Sequence, residues 1–126
     1  MDKQATLSHS EWILMECLWV QPHTLMELVA SLSKTVGWRK STVATMVHRM
    51  EEKGVICYEE QGRTKIFRPA VSREDVTLRE TQSLLQRAFR GSVGQLVNAM
   101  AQSDALTKED VDELYEIIKK VKEGAE

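Results

Sequence analysis

The chain has 126 residues, 42% hydrophobic and 29% charged, with a formal net charge of −2. This composition suits one domain or two very small ones with packed cores, and it argues against disorder. The sequence has no run of about 18 apolar residues, no signal-peptide pattern and only two isolated cysteines, so we expect a reduced, cytoplasmic protein without direct membrane association.

The charges are unevenly distributed along the chain. Residues 34–68 contain eight basic side chains and four acidic ones, whereas residues 101–126 contain four basic and eight acidic ones. A molecule of this kind can bind a polyanion at its basic end while the acidic end keeps it in solution. The pattern is compatible with a nucleic-acid partner, although short windows of many proteins fluctuate as much.

Two helices are predicted in the first third of the chain. Ser8 and Glu11 form the S-x-x-E capping box that opens the first helix, which ends before Pro22. Thr24 caps the second helix, which is expected to end at about Leu32, and residues 34–38 are expected to connect it to the next. The predicted buried stripes are Trp12, Met15 and Trp19 in the first helix, with Leu14 and Leu18 beside them, and Leu25, Leu28, Val29 and Leu32 in the second.

A third helix is predicted over residues 38–54, where Gly54 provides the left-handed residue that follows a last turn. At about 100° per residue, one arc of this helix holds only apolar side chains. The opposite face holds small hydroxyls, an imidazole and a guanidinium, which is not the usual solvated mixture. The apolar arc is Val43, Met46, Val47 and Met50; the outer face is Ser41, Thr45, His48 and Glu52, flanked by Ala44 and Arg49.

Two short β-prone runs follow, at residues 55–58 and 64–68. Residues 59–63 are expected to form the hairpin loop, with Gly62 supplying a positive φ, and Pro69 closes the second run. Residues 8–69 therefore predict the order helix–helix–helix–hairpin, which is the winged helix-turn-helix arrangement. In that fold the third helix enters the major groove of DNA, and we expect the hairpin, or wing, to lie along the phosphates.

This order predicts a DNA-binding surface. Small side chains let a helix approach base edges, hydroxyls reach phosphates or bases, and arginine pairs with guanine, while the helix N-terminus favours phosphate. The predicted contacts are Arg39, Lys40, Ser41, Ala44, Thr45, His48 and Arg49 on the helix, with Arg63 and Lys65 on the wing. Glu59 and Glu60 are expected to turn away from phosphate. The alternative is a winged-helix adaptor that binds protein without sequence-specific DNA binding.

The last third of the chain is predicted to be helical, with caps at Ser72 and Thr107 and a break bracketed by Gly91 and Gly94. Three short amphipathic helices bury their stripes poorly against one another. A second copy would cover them in a two-fold dimer, whereas packing on the N-terminal domain is the alternative. We therefore predict a mainly α fold with a small β-hairpin, in which a winged-helix domain (1–71) precedes a three-helix dimerisation domain (72–126). The predicted dimerisation residues are Leu78, Leu85, Phe89, Val93, Leu96, Val97, Met100, Leu114 and Ile118.

Three stretches of the chain carry a family resemblance. They are "LSHSEWILMECLW" (residues 7–19), "W-x-x-S-T-V-x-T-M-x-x-R-M-x-x-K-G" (residues 38–54) and "LTKEDVDELYEIIKK" (residues 106–120). They are similar to the opening, the third helix and the terminal helix of the penicillinase-repressor family (BlaI/MecI type), to which copper-operon repressors are related. The resemblance therefore spans residues 7 to about 120.

The resemblance implies a homodimeric repressor on a palindromic DNA operator, often with TACA/TGTA half-sites, that controls a β-lactam-resistance or related stress operon. Thr42, Thr45 and Arg49 match helix positions that the family places on DNA. Lys40, Ser41, Ala44 and His48 hold neighbouring contact positions but differ in type. Ala44 stands where the β-lactamase repressors commonly have arginine, so the base preference of this chain does not follow from the family.

The resemblance also implies a route to induction. In penicillinase repressors a partner protease, which we expect to be a membrane sensor, cuts an Asn-Phe bond on the second dimerisation helix. The corresponding stretch here, "QLVNAMAQSD" (residues 95–104), places Ala99 and Met100 at that bond and Asn98 one place early. Copper repressors carry a cysteine-rich tail, whereas this chain ends "KKVKEGAE". Cleavage at Ala99 and Met100 and release by a small molecule or an unknown mechanism all stay open.

No catalytic, cofactor or metal site is predicted. The sequence has no nucleophile paired with a base, no phosphate loop and no paired catalytic carboxylates, so we do not expect an enzyme. His9, His23 and His48 lack the spacing of metal ligands. Cys17 and Cys57 are expected to be small core residues rather than sensors, while a redox or metal role for either stays open.

Overall fold

The computed structural model describes residues 6–124 as a mainly α fold with a small antiparallel sheet, in the predicted order. By its contacts the chain forms two compact units, one up to Ser83 and one from Leu84. The elements are α1 (His9–Val20), β1 (His23–Thr24), α2 (Leu25–Val36), α3 (Lys40–Lys53), β2 (Ile56–Gln61), β3 (Thr64–Pro69), α4 (Arg73–Phe89), α5 (Val93–Gln102) and α6 (Lys108–Gly124).

Local hydrogen bonds explain where the first two helices begin. The hydroxyl of Ser8 accepts from the Glu11 N–H at 3.2 Å, and the Glu11 carboxylate accepts from the Ser8 N–H at 2.9 Å. Thr24 and Glu27 form the same reciprocal box at the start of α2. The predicted end of α2 was wrong, because residues 34–36 form its last turn, and Gly37 ends the helix at a φ of 72°.

The core of the first unit combines side chains from α1, α2, α3, α4 and the strands. The apolar arc of α3 is buried as predicted. The predicted stripe of α1 was only partly right: the two tryptophans lie half-buried at the edge of the core, with ring centroids 5.6 Å apart, while Leu14, Met15 and Leu18 are fully buried. The other buried apolar side chains are Leu7, Leu28, Leu32, Val55, Ile56, Phe67 and Val76.

The sheet is larger than the sequence predicts. Antiparallel pairing between β2 and β3 continues to Gln61 opposite Thr64, which leaves only Gly62 and Arg63 in the turn. The predicted five-residue loop was wrong, since residues 59–61 continue β2 with exposed side chains that show no alternation. The two residues of β1 pair with β3 and give the strand order β1-β3-β2.

The two cysteines differ in environment. Cys17 is half-buried and packs against the core, in agreement with the prediction. Cys57 is exposed on β2, where its Sγ lies 3.8 Å from the Arg68 carbonyl oxygen. The prediction of a core residue was therefore wrong for Cys57.

The second unit contains capped helices without a buried side chain. Ser92 caps α5 by accepting from the Gln95 N–H at 3.1 Å, and Thr107 and Asp110 form the predicted reciprocal cap before α6. Gly94 lies within α5, so the prediction that it bounds the break was wrong. Neither α5 nor α6 buries a residue. Nowhere in residues 6–124 is there a helix both long and apolar enough to cross a membrane.

Candidate nucleic-acid interface

α3 is fixed along its apolar face and near its C-terminal end. Lys53, in the last turn, donates from Nζ to Glu11 Oε1 at 2.8 Å, and the side chain of Glu11 is only 9% exposed. The same carboxylate oxygen accepts the Ser8 N–H. Gly54 then ends the helix at a φ of 90°. The buried apolar arc and an ion pair to the first turn of α1 together hold α3 with its polar face outward.

The buried carboxylate of Glu11 is held in its charged form. Burial is the largest single influence on the pKa of Glu11 and raises it. Hydrogen bonds from Lys53 and Ser8, together with the positive charge of Lys53, outweigh burial and bring this pKa below its ordinary value. Glu11 is thus ionised at neutral pH, and the ion pair to Lys53 is intact there.

The start of α3 differs from the starts of α1 and α2. Its N-cap residue, Arg39, makes no side-chain capping hydrogen bond, and its first turn has no acidic residue. The backbone N–H groups there are free to meet an anion, which the helix dipole favours. Of the predicted contact residues on this helix, only Ala44 is half-buried. The exposed ones are Arg39, Lys40, Ser41, Thr42, Thr45, His48 and Arg49.

A groove of about 700 Å³ runs between the start of α2, α3 and the wing. Four of the predicted residues line it together: Ala44, His48, Arg63 and Lys65. A shallower concavity on α3 collects four more: Ser41, Thr42, Thr45 and Arg49. Arg39 and Lys40 line neither concavity. The fold thus brings the wing cations to the same groove as residues of the third helix, as a winged-helix interface requires.

The charges of the wing favour a polyanion. Within the part of the chain that the structure describes, neither Arg63 nor Lys65 forms an ion pair with a carboxylate; the Lys65 ammonium lies 4.3 Å from the centroid of the Tyr58 ring. Glu59 accepts a hydrogen bond from Arg68 at 3.0 Å, which neutralises its charge locally. Two wing cations therefore remain free to attract phosphate.

The groove also contains residues that the sequence did not predict. The start of α2 contributes Thr24, Leu25 and Met26, and α3 contributes Glu51. Met26 is the most informative of these, because 56% of this large apolar side chain is exposed. The sequence held one signal: Met26 lies outside the apolar stripe of α2.

None of the predicted dimerisation residues is buried within one chain. Leu85, Phe89, Leu96, Val97 and Leu114 are half-buried, and Leu78, Val93, Met100 and Ile118 are exposed. Val97, Met100 and Leu114 line a groove of about 300 Å³ between α5 and α6. Ala99 and Met100, at the predicted cleavage region, are exposed within α5. Among residues 6–124, no group of three or more His, Cys, Asp or Glu side chains could hold a metal ion.

Three packed helices, a small sheet and an exposed third helix beside a wing define the winged-helix class of DNA-binding regulators. The family model described as "Penicillinase repressor" matches residues 7–120, so the chain belongs to that family. This confirms the resemblance found in the sequence. The family is one of transcriptional repressors, not of enzymes.

Individual relatives agree with this assignment. The chain is 28% identical over 123 residues to the penicillinase repressor of Bacillus licheniformis, covering 97% of this chain and 96% of that one. It is 19% identical over 120 residues to the methicillin resistance regulatory protein MecI of Mammaliicoccus sciuri, covering 94% and 98%. The solved DNA-binding domain of the repressor BlaI matches with a TM-score of 0.54 and 29% identity, covering 60% of this chain and 93% of that one.

Proposed function

We propose that this protein is a transcriptional repressor that binds a palindromic DNA operator through α3 and the wing. The observation that carries the proposal is the groove in which Ala44 and His48 of α3 meet Arg63 and Lys65 of the wing. The cations supply sequence-independent attraction to phosphates, while the hydroxyl and guanidinium groups of α3 offer contacts to base edges. The name of the BlaI domain, a DNA-binding domain of a repressor, supports the same role.

The protein acts as a homodimer in this proposal. The second unit leaves much apolar surface uncovered, including Val93, Tyr115, Ile118 and Val121, each at least 60% exposed. A second copy of this surface would remove it from water, and two linked winged domains would bind two half-sites with an avidity that neither has alone. The boundary between the DNA-binding and dimerisation domains stays a prediction. The start of α4, as far as Glu80, belongs to the first unit, where Val76 is buried and Glu80 accepts a hydrogen bond from the Leu7 N–H.

The regulated genes are proposed from the relatives. The names "penicillinase repressor" and "methicillin resistance regulatory protein" support control of a β-lactam-resistance or related stress operon. Relief of repression acts on the second unit, because loosening the dimer removes avidity. We propose that a sensor protease cuts within residues 98–102, where Ala99 and Met100 are exposed on α5. Such a cut splits the apolar stripe of that helix.

Fluorescence anisotropy with the DNA upstream of the chain's own gene tests DNA binding. The proposal predicts that the full chain binds this DNA more tightly than random duplex at about 0.15 M salt. With roughly six to eight phosphate contacts, affinity should fall about 10³–10⁵-fold between 50 and 200 mM salt. Equal affinity for both duplexes would favour the protein-binding adaptor instead.

Fragment masses of the protein recovered from its own cells test induction. A break near Ala99 and Met100 that appears only after β-lactam exposure supports proteolysis. An intact chain that leaves its operator under the same exposure contradicts proteolysis and points to a ligand.

A further inference from the structure

Met26 is an exposed apolar side chain that packing within the fold does not explain. It is the second residue of α2, outside the stripe that enters the core, and 56% of it is exposed. The half-buried Leu25 and Ala44 and the buried Val47 and Phe67 line the same groove. These five side chains, which we call the apolar floor, interrupt a surface whose other exposed groups are mostly polar.

The charges around the apolar floor indicate what covers it. Arg63 and Lys65 line the groove from the wing and, within the described residues, have no carboxylate partner, so they attract a polyanion. Glu51 lines the groove from α3 and repels any phosphate placed against the floor. The apolar side chains of the floor also cannot donate a hydrogen bond to a phosphate. A duplex in this groove therefore turns an apolar base edge to the floor while its backbone meets the wing.

We infer that Met26 and Ala44 contact the 5-methyl group of a thymine in the major groove. This inference rests on the proposed DNA-binding function and adds a specificity residue to it. The thymine methyl is the apolar feature of the base-pair edges in the major groove, and apolar side chains distinguish it by contact. Because Met26 belongs to α2, sequence recognition uses two helices rather than α3 alone.

The experiment begins with selection of the sequences that the full chain retains from a randomised duplex pool. Each thymine of the selected duplex is then replaced by uracil, which removes only the methyl group, and the Kd is measured by anisotropy. The wild-type Kd should rise about fourfold at the contacted thymine, the amount that burial of one methyl-sized group is worth. Met26→Ala should bind the thymine duplex with a Kd about fourfold higher than that of the wild type. Replacement of the contacted thymine by uracil should then raise the Kd of this variant by less than twofold. Met26→Leu should keep most of the dependence of the Kd on the methyl group.

Val20→Ala is the matched control, since Val20 is an apolar residue of α1 that is 80% exposed and lies outside this groove. It should leave both affinities and the methyl dependence unchanged. A wild-type Kd that depends on no thymine methyl, or a folded Met26→Ala variant that distinguishes thymine from uracil as well as the wild type, would overturn the inference. A pool without any selected sequence would overturn the proposed function itself, whereas selection without methyl dependence would overturn the inference alone.

Discussion

Replacement of Lys53 by methionine should loosen α3 from α1. In the folded protein Lys53 Nζ lies 2.8 Å from Glu11 Oε1, and the carboxylate is almost completely buried. Methionine keeps most of the aliphatic length of lysine but leaves Glu11 without its cation. Because removal of one partner from a buried pair leaves an uncompensated charge, the substitution acts on stability more strongly than loss of a surface ion pair.

The size of the destabilisation by Lys53→Met follows from the groups that remain around Glu11. Complete isolation of one partner of a buried pair costs about 3–5 kcal/mol, and one hydrogen bond to a charged group is worth about 1.5–3 kcal/mol. Glu11 still accepts the Ser8 N–H at 2.9 Å, and the side chain of Lys53 is 29% exposed, so water reaches its site. We therefore expect the free energy of unfolding at pH 7 to fall by about 2–3 kcal/mol.

The pKa shift of Glu11 determines how the stability of the protein changes with pH. The pKa of Glu11 is lower in the folded protein than in the unfolded chain, where it is about 4.3. The stabilisation from the ion pair is therefore fully present above about pH 4.3 and is lost as the pH falls through the lower folded pKa. In Lys53→Met burial still raises this pKa, while the opposing influence of the lysine is gone. The stability difference between wild type and variant should consequently shrink as the pH falls, first as Glu11 of the variant is protonated and then, below about pH 4.3, as Glu11 of the wild type is protonated.

Chemical denaturation at one fixed protein concentration, repeated from pH 7 to pH 3, measures this difference. Lys65→Met is the matched control, because it makes the same substitution at an exposed lysine that lies over the Tyr58 ring. It should lower the free energy of unfolding by about 1 kcal/mol or less. A difference between Lys53→Met and wild type that stays constant over this pH range would refute the role assigned to the Glu11 charge.

Three further predictions concern DNA binding and assembly. Arg49→Ala and Thr45→Ala should each weaken operator binding more than random-duplex binding, by roughly 1–3 kcal/mol for a bidentate arginine, and equal losses on both duplexes in anisotropy titrations would contradict base recognition by α3. Lys65→Ala should weaken both duplexes alike and reduce the salt slope by about one; an effect confined to the operator would contradict a phosphate contact. A chain ended after Ser83 should be a folded monomer with much weaker operator binding, and a dimer in sedimentation would place the dimer contacts elsewhere.

The helices were predictable because their signals are local. A cap such as that of Ser8 and Glu11 lies within four residues, and the apolar arc of α3 repeats at helical spacing, so neither needs knowledge of distant contacts. The tryptophans of α1 were misplaced for the opposite reason. Their periodicity is helical, but which apolar residues reach the centre of the core depends on the helices that pack around α1.

Strand limits depended on backbone pairing rather than on residue type. Glu59 and Glu60 have the composition of a loop, yet pairing with Ile66 and Lys65 of β3 makes them part of β2. The two residues of β1 carry no periodic signal and become a strand only by pairing with β3, more than forty residues later. The pairing of β1 with β3 therefore depends on tertiary packing, which brings these two segments together.

The groove was predictable in part. The α3 and wing residues follow from one amphipathic helix and one hairpin, whereas the contribution of Met26 depends on how the start of α2 lies beside α3. A single exposed methionine has no local signature of function. Its place in the groove emerges only from the tertiary structure.

A hydroxyl-radical footprint of the full chain on the DNA upstream of its gene tests the central claim most directly. The proposed dimeric repressor predicts two protected blocks with inverted, related sequences on one face of the duplex. Their centres should lie about 10 base pairs, or a multiple of that, apart, as two-fold related recognition helices require. Uniform protection along the fragment, or no protection at concentrations that saturate the anisotropy signal, would contradict operator recognition by α3 and the wing.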